Sequence, residues 1–195
     1  MNRKCLIGSA LIAGFFSSVL FAAEPVRSGA SLGETCAGCH GTNGHSAGES
    51  TPSIAGLSKR YLLTAMLDFK RDLRQSTIMG RIARGYSDQE LATIAAYFGE
   101  MPWKPAPVDA DRKAVKAGMK IHEELCSSCH GKAGEKNVLE TPRLAGQWPQ
   151  YTYNQLRDLH DIEIATQDPR KMHERVQKLS DAEIKALSQY YASVK

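Results

Sequence analysis

Two cysteine pairs, each followed at once by a histidine, are the residues of this chain whose types and spacing indicate chemistry. Residues 36–40 read Cys-Ala-Gly-Cys-His, and residues 126–130 read Cys-Ser-Ser-Cys-His. C-x-x-C-H is the attachment signature of c-type haem, because two thiols must reach the vinyl groups on one porphyrin edge while the next residue turns an imidazole under the iron. The sequence therefore predicts two covalently bound haem c groups. Their attachment sites are Cys36, Cys39, Cys126 and Cys129.

Cysteine pairs of this spacing also occur in redox disulfides of the thioredoxin kind and in structural zinc sites. Zinc ribbons place their two pairs about 15–20 residues apart, whereas the pairs here begin 90 residues apart. Neither alternative accounts for the histidine after each pair. The pattern therefore favours haem attachment, with His40 and His130 as the proximal ligands of the two irons.

The sequence around each cysteine pair is repeated along the chain. Residues 51–56 (Thr-Pro-Ser-Ile-Ala-Gly) match residues 141–146 (Thr-Pro-Arg-Leu-Ala-Gly) at an offset of 90, which also relates the two cysteine pairs. Further along, the offset becomes 93, so that Ser87 aligns with Ser180. Self-similarity at a fixed offset is the signature of a repeated structural unit. We therefore expect two similar domains.

Helices must position the two cysteine pairs, because apolar residues recur at helical spacing on both sides of each pair. The spacing predicts a helix over residues 28–35 before the first pair and one from about residue 111 before the second. Middle helices are predicted over 57–74 and 147–161, and a capping box of serine and glutamate begins a last helix in each copy. No segment shows convincing strand alternation. The predicted fold is all-α, with two tandem domains of a few helices wrapped around one covalent haem each.

The first residues of the chain have the pattern of a targeting segment. Arg3 and Lys4 precede an apolar run of 16 residues, 6–21, and two alanines follow it. This pattern predicts a secretory signal peptide over residues 1–23, and hence a periplasmic protein. A retained membrane anchor is the less favoured alternative, because a spanning helix needs about 20 apolar residues. Export agrees with cysteine usage, since no later cysteine lies outside the two pairs.

The remaining chain divides into a first domain over residues 24–98, a linker over 99–110 and a second domain over 111–195. Three prolines in the linker prevent a continuous helix and favour an extended, fairly stiff connection. The formal net charge of +4 at pH 7 falls to +2 when Arg3 and Lys4 leave with the signal. Proteins that bind nucleic acid usually carry a strongly basic surface. Because the net charge here is so small, we expect no nucleic-acid partner.

The methionines include candidates for the second axial ligand of each iron. Met172 is the single methionine after the second cysteine pair, and it lies eight residues before the serine of a capping box, as Met79 does in the first half. The predicted ligand pairs are therefore His40 with Met79 and His130 with Met172. A histidine in place of Met172 is the alternative. The histidines available there are His160 and His173, and neither has a histidine counterpart in the first half.

Ligation by histidine and methionine indicates electron transfer. A thioether sulfur favours reduced iron and raises the reduction potential. A filled sixth position also leaves no site for oxygen or peroxide, which argues against substrate chemistry at the iron.

Two prolines are candidates for orienting the proximal histidines. Pro52 and Pro142 each lie twelve residues after the histidine of their motif, and a carbonyl there could accept the imidazole proton and fix the ring. An ordinary loop proline is the alternative. His45 and His122 have no counterpart in the other half, so we interpret them as surface or helix-face residues.

The arrangement resembles class I cytochrome c. The order of a first helix, C-x-x-C-H, a Pro-x-Leu-like element at residues 52–54 and 142–144, a methionine and a last helix is that of this family. Two such domains in tandem are similar to the two-haem cytochromes of the c-four type, and the resemblance covers nearly all of the chain after the signal. It implies two haem domains that face each other across a pseudo-twofold interface.

A narrower resemblance lies in the first half. Residues 51–55, followed by residues 76–87 (Ser-Thr-Ile-Met-Gly-Arg-Ile-Ala-Arg-Gly-Tyr-Ser), are similar to the cytochrome subunit of flavocytochrome c sulfide dehydrogenase. This resemblance implies a partner, an FAD-containing flavoprotein subunit that oxidises sulfide and passes its electrons to the haem subunit. The second half fits either this subunit or the c-four type.

Three functions follow from these patterns. The first is a haem subunit that is not an enzyme by itself, which takes electrons from a flavoprotein sulfide dehydrogenase subunit and passes them to a cytochrome or oxidase. The second is a free two-haem shuttle between a respiratory complex and a terminal oxidase. The third is a two-haem peroxidase, which requires an open or displaceable axial site and is therefore disfavoured by a methionine in each half.

Overall fold

A computed structural model describes residues 27–161 and 170–195. The predicted signal peptide at 1–23 lies outside these residues. Within them the chain is helical, as predicted, and an isolated bridge between Val138 and Thr141 is the only β-type pairing in these two segments. No helix in this part of the chain has the length and apolarity needed to cross a membrane.

The described helices form two successive groups. The first group consists of α1 (Gly29–Glu34), α2 (Ala37–His40), α3 (Lys59–Lys70), α4 (Met79–Arg84) and α5 (Asp88–Glu100). The second group consists of α6 (Arg112–Leu125), α7 (Ser127–His130), α8 (Pro149–Asp161), α9 (Arg170–Val176) and α10 (Asp181–Ser193). Helix α5 extends two residues beyond the predicted end of the first domain at 98.

Side-chain caps explain where the principal helices begin. Ser28 caps α1, and Asp111 caps α6 by accepting a hydrogen bond from the backbone three residues further on. The predicted capping boxes are confirmed at Ser87 and Ser180, where the serine and the glutamate three residues later satisfy each other's backbone N–H groups. These bonds compensate donors that the first turn of a helix leaves unpaired.

The first and last helices of each group cross in its core. Leu32 of α1 shares a buried apolar cluster with Leu91 and Phe98 of α5. In the second group α6 approaches α10 very closely, because a Cβ added at Gly118 would lie only 2.1 Å from the carbonyl oxygen of Ala186. Glycine at this position therefore permits backbone-to-backbone contact between the two helices.

His122 lies on the inner face of α6, as the helix-face alternative of the sequence interpretation has it. Its side chain is fully buried between α6 and α10, not at the surface. Nδ1 lies 2.9 Å from the hydroxyl of Tyr191, and Nε2 lies 2.9 Å from the carbonyl oxygen of Gly131. Burial is possible because both ring nitrogens have partners. His45 also departs from a surface position, since it is half-buried and its Nδ1 has no hydrogen-bond partner among the described residues.

The segment between the two groups has no helix and packs against the second group. The N–H of Ala106 donates to the carbonyl of Gly146 at 2.8 Å. The ammonium group of Lys195 donates to the carbonyls of Ala106 and Val108 at 3.0 and 3.3 Å. Contacts with the second group, in addition to proline stiffness, therefore restrain this segment.

Candidate haem sites

Each cysteine pair and its histidine lie on one short helical turn. In α2 and α7 the N–H of the histidine donates to the carbonyl of the first cysteine at 2.9 Å, in both copies. The first cysteine of each pair is half-buried and the second is exposed, and all four thiols are free. The histidines are buried, with 9% of His40 and 5% of His130 exposed. One turn thus presents two thiols and an imidazole together, as covalent haem attachment requires.

The histidines of the two motifs have a defined orientation and protonation state. Nδ1 of His40 lies 2.9 Å from the carbonyl oxygen of Pro52, and Nδ1 of His130 lies 3.3 Å from that of Pro142. A carbonyl can only accept, so Nδ1 carries the proton and Nε2 keeps its lone pair. Burial lowers the pKa of both imidazoles below its usual value. The neutral form, which is the form that binds metal, is therefore favoured.

A cavity of about 530 Å³ lies beside the second cysteine pair. Ligand pockets are commonly roughly 300–1,000 Å³ and mostly apolar. The cavity is lined by Cys126, Cys129, His130, Pro142 and Met172, together with apolar and charged residues of both groups. Nε of Arg143, also in the lining, is buried without a hydrogen-bond partner among the described residues. An apolar cavity with two thiols, an imidazole, a thioether and an unpaired guanidinium N–H fits a haem with its carboxylates.

The candidate methionines lie on corresponding short helices. Met79 is the first residue of α4, and Met172 lies in α9 against the apolar cluster of the second group. The two rival histidines make other contacts and are absent from the described lining of the cavity. Nδ1 of His173 lies 2.8 Å from the carbonyl of Leu159, and Nδ1 of His160 lies 2.5 Å from the adjacent Asp161 carboxylate.

The proline loops of the two groups meet through Gln147. Its Oε1 accepts from the N–H of Ser53 at 3.0 Å, and its Nε2 donates to the carbonyl of the same residue at 2.9 Å. The neighbouring Trp148 donates from Nε1 to the carbonyl of Ser46 at 3.0 Å. Two adjacent side chains of the second group therefore hold the backbone of the loop after the first C-x-x-C-H motif.

Asn137 makes a second contact of the same kind. Its Oδ1 accepts from the N–H of Ser58 at 2.8 Å, and its Nδ2 donates to the carbonyl of Gly56 at 2.7 Å. Nearby, Nε of Arg60 lies 2.6 Å from Oε1 of Glu140. The exposed ion pair and these two side-chain amides, Gln147 and Asn137, which we call the amide clamps, together fix how the groups face each other.

Arg74 of the first group extends into the lining of the second group's cavity. Its guanidinium donates to the hydroxyls of Tyr61 and Tyr151 at 3.3 and 3.4 Å, and also to the side-chain carbonyl of Gln155. The guanidinium also lies over the ring of Phe69, 4.8 Å from its centre. Residues of both groups therefore enclose the second candidate haem site.

The C-x-x-C-H motifs and the capping boxes do not indicate these interface residues. The repeat held a signal for two of them, because Gln147 and Asn137 align at the offset of 90 with the apolar residues Leu57 and Ala47. A polar residue in one copy at a position where the other has an apolar residue indicates a contact that the two copies do not share. Trp148 shows the reverse contrast, because it aligns with Ser58, whereas Arg74 lies where the offset changes from 90 to 93 and has no defined counterpart.

Two helical units, each with a C-x-x-C-H turn and a buried histidine oriented by a carbonyl, define a dihaem c-type cytochrome. The Cytochrome c family description matches residues 26–101, and that of Cytochrome C oxidase, cbb3-type, subunit III matches residues 113–190. The chain is 33% identical to Cytochrome c4 of Azotobacter vinelandii over 96% of its own length and 97% of the relative's. It belongs to the cytochrome c4 family.

Two further similarities were found. The crystal structure of reduced recombinant cytochrome c4 from Pseudomonas stutzeri superposes with a TM-score of 0.76 at 30% identity, over 88% of this chain and 100% of that one. The Cytochrome subunit of sulfide dehydrogenase from Chlorobaculum tepidum is 48% identical over 85 residues, which are 43% of this chain and 76% of that subunit. The predictions of two cytochrome c domains, two covalent haem c groups and an electron-transfer role are confirmed.

Proposed function

We propose that this protein accepts electrons in the periplasm from an FAD-containing sulfide dehydrogenase subunit and passes them to a downstream cytochrome or oxidase. The observation that carries the proposal is the difference between two similarities. Identity to the sulfide dehydrogenase cytochrome subunit is 48% over 85 residues, whereas identity to cytochrome c4 is 33% over nearly the whole chain. Export by the signal at 1–23 belongs to the same proposal.

The chain's own residues supply attachment, orientation and exclusion of water. Cys36 and Cys39 would anchor the first haem, and His40 and Met79 would bind its iron; at the second site Cys126, Cys129, His130 and Met172 would do the same. The haem iron supplies a reversible one-electron centre. Proline carbonyls hold the Nδ1 protons, so that each imidazole presents its Nε2 lone pair. With both axial positions filled, the chain is suited to receive and release electrons one at a time.

The ligand assignment is tested by exposing each axial site in turn. Met79→Ala and Met172→Ala should each open one iron, because alanine has no atom to replace the sulfur. Carbon monoxide added to the reduced protein should then bind to half of the haem in each variant and to little of the unchanged protein. Rapid binding at either haem of the unchanged protein would contradict filled axial sites and support a peroxidase. Variants His160→Ala and His173→Ala serve as controls and should bind none.

The partner is tested by purifying the haem protein gently from its own host and following it through size exclusion. A stoichiometric flavoprotein that reduces the haems when sulfide is added is the expected result. Arg84→Glu reverses an exposed charge on α4, the helix that begins at Met79, and should weaken that complex about tenfold or more. Arg112→Glu makes the same change in the second domain and is the matched control. Equal affinity of both variants would exclude the α4 surface as the docking site.

A free two-haem shuttle is the second candidate. Similarity to cytochrome c4 over 96% of this chain and 97% of the relative favours it, because both domains and the linker are included. A haem protein that elutes alone, is not reduced by sulfide and reduces a terminal oxidase would establish the shuttle in place of the sulfide dehydrogenase subunit.

A further inference from the structure

The peptide group between Pro52 and Ser53 is hydrogen-bonded at both ends, by two different domains. Its carbonyl oxygen lies 2.9 Å from Nδ1 of His40, in the same domain. Its N–H donates to Oε1 of Gln147, in the second domain, at 3.0 Å. One rigid amide unit therefore connects a side chain of the second domain with the proximal histidine of the first.

The orientation of the Gln147 amide is fixed by its neighbours. Two N–H groups, those of Ser53 and Trp148, point at one side-chain atom at 3.0 and 3.1 Å, so this atom is the oxygen. The other side-chain atom lies 2.9 Å from the carbonyl of Ser53, so it is the nitrogen. Ser53 and Gln147 are 3% and 4% exposed. Because the site is buried, water does not compete for these bonds, and hydrogen bonds in series polarise one another.

We propose that Gln147 is a positioning residue for the first haem and lowers its reduction potential from the other domain. When Oε1 accepts from Ser53 N–H, electron density shifts toward the carbonyl oxygen of Pro52. That oxygen then accepts the Nδ1 proton of His40 more strongly, which raises the basicity of the imidazole as an iron ligand. A more basic ligand stabilises the oxidised iron. The inference depends on the proposed ligation of the first haem by His40.

The effect acts in one direction only. The residue that aligns with Gln147 in the first domain is Leu57, a buried aliphatic side chain that accepts no hydrogen bond. The peptide after Pro142 therefore receives no such bond from the aligned position. The distance from Nδ1 to the proline carbonyl is also longer in the second domain, 3.3 Å against 2.9 Å in the first. The second domain thus influences the potential of the first haem without a reciprocal contact.

The test replaces Gln147 by methionine, which has a similar shape and length but neither the donor nor the acceptor group. The matched control is Asn137→Leu, which removes two interdomain hydrogen bonds of similar length at Gly56 and Ser58, away from the peptide next to His40. Both potentials of each two-haem variant are measured by redox titration, with the haems assigned by their NMR methyl signals. Gln147→Met should raise the potential of the first haem and leave that of the second unchanged.

Three outcomes would overturn the inference. They are unchanged potentials in Gln147→Met, equal shifts of both haems, or the same shift in Asn137→Leu, which would indicate general loosening of the interface. If Gln147→Met assembles poorly, NMR of the reduced Gln147→Ala variant gives a second reading, in which the Nδ1 proton signal of His40 should move upfield while that of His130 stays. Failure of the ligation itself is distinguished in the unchanged protein, whose first haem would then lack a histidine-ligated spectrum.

Discussion

At the crossing of their first and last helices, the two domains use different chemistry at aligned positions. The first domain places Leu32 and Phe98 in an apolar cluster. The second domain places His122 and Tyr191 at the corresponding sites, joined by a hydrogen bond of 2.9 Å. All four side chains are at most 2% exposed. The same helical scaffold therefore tolerates either an apolar or a polar core contact, provided that the polar contact is complete.

Both ring nitrogens of His122 have a hydrogen-bond partner, so the polar contact is complete. The carbonyl of Gly131 can only accept, so Nε2 carries the proton and donates to it. Nδ1 is then the acceptor, and the hydroxyl of Tyr191 donates to it. Because Gly131 follows His130 directly, the polar pair also fastens the second C-x-x-C-H turn to the helix crossing. The first domain has no such fastening at the aligned leucine.

The largest expected effect tests how closely the helices approach in each domain. Gly118→Ala should destabilise the protein by about 3 kcal/mol, because the new Cβ meets the backbone of Ala186, which cannot move without separating the helices. Gly29→Ala is the matched change in the first domain. Its Cβ would lie 3.0 Å from Cβ of Tyr97, a contact that a small shift relieves, so about 1 kcal/mol or less is expected. Equal losses of unfolding free energy in guanidinium would contradict this difference.

A smaller effect is expected when the polar pair is replaced by its apolar counterpart. His122→Leu leaves the carbonyl of Gly131 buried without this donor and removes one hydrogen-bond partner of the Tyr191 hydroxyl, and should cost about 2–3 kcal/mol. In His122→Leu with Tyr191→Phe, the hydroxyl is gone as well, so the double variant should be more stable than the sum of the two single losses predicts, by about 1 kcal/mol. Denaturant unfolding of the four proteins measures this coupling. Strict additivity would show that the two side chains do not act as a pair.

The smallest effect is expected where the domains are alike. Ser87→Ala and Ser180→Ala each remove an N-cap from a last helix with the same capping box, so both should cost about 1 kcal/mol. Hydrogen bonds from these serines lower the pKa of Glu90 and Glu183. The stability that these two glutamates contribute to the fold is therefore fully present above the usual glutamate pKa. It is lost as the pH falls through the lowered pKa values. Clearly unequal losses in thermal unfolding would show that the domains differ at this position too.

Local features of this molecule could be predicted from the sequence. Capping boxes, C-x-x-C-H turns and helix positions depend on residues a few places apart, and the repeat supplied an internal comparison for each. Pro52 was selected only by its distance of twelve residues from the histidine, and its carbonyl lies 2.9 Å from Nδ1 of His40. The assignment of the iron ligands stays a prediction.

Contacts between distant segments could not be predicted in this way. The burial of His122 depends on Tyr191, 69 residues away, and single-residue patterns do not show which helix faces meet. The clue was the joint change of two aligned core positions, from leucine and phenylalanine to histidine and tyrosine. The interface of Gln147 with Ser53 joins residues 94 apart, and neither residue type suggests the other.

The amide clamps at the interface have a consequence for how the two halves can diverge. Across the interface, the side chains of Gln147, Trp148 and Asn137 bond only to peptide groups. Every amino acid except proline offers the same peptide N–H and carbonyl, so these three side chains recognise the path of the opposing chain and not its side chains. These contacts therefore depend on Gln147 and not on the side chain of Ser53, whose hydroxyl accepts instead from the N–H of Ser46 at 3.2 Å. A foreign first domain with the same loop path could be grafted onto this second domain without redesign of these clamps.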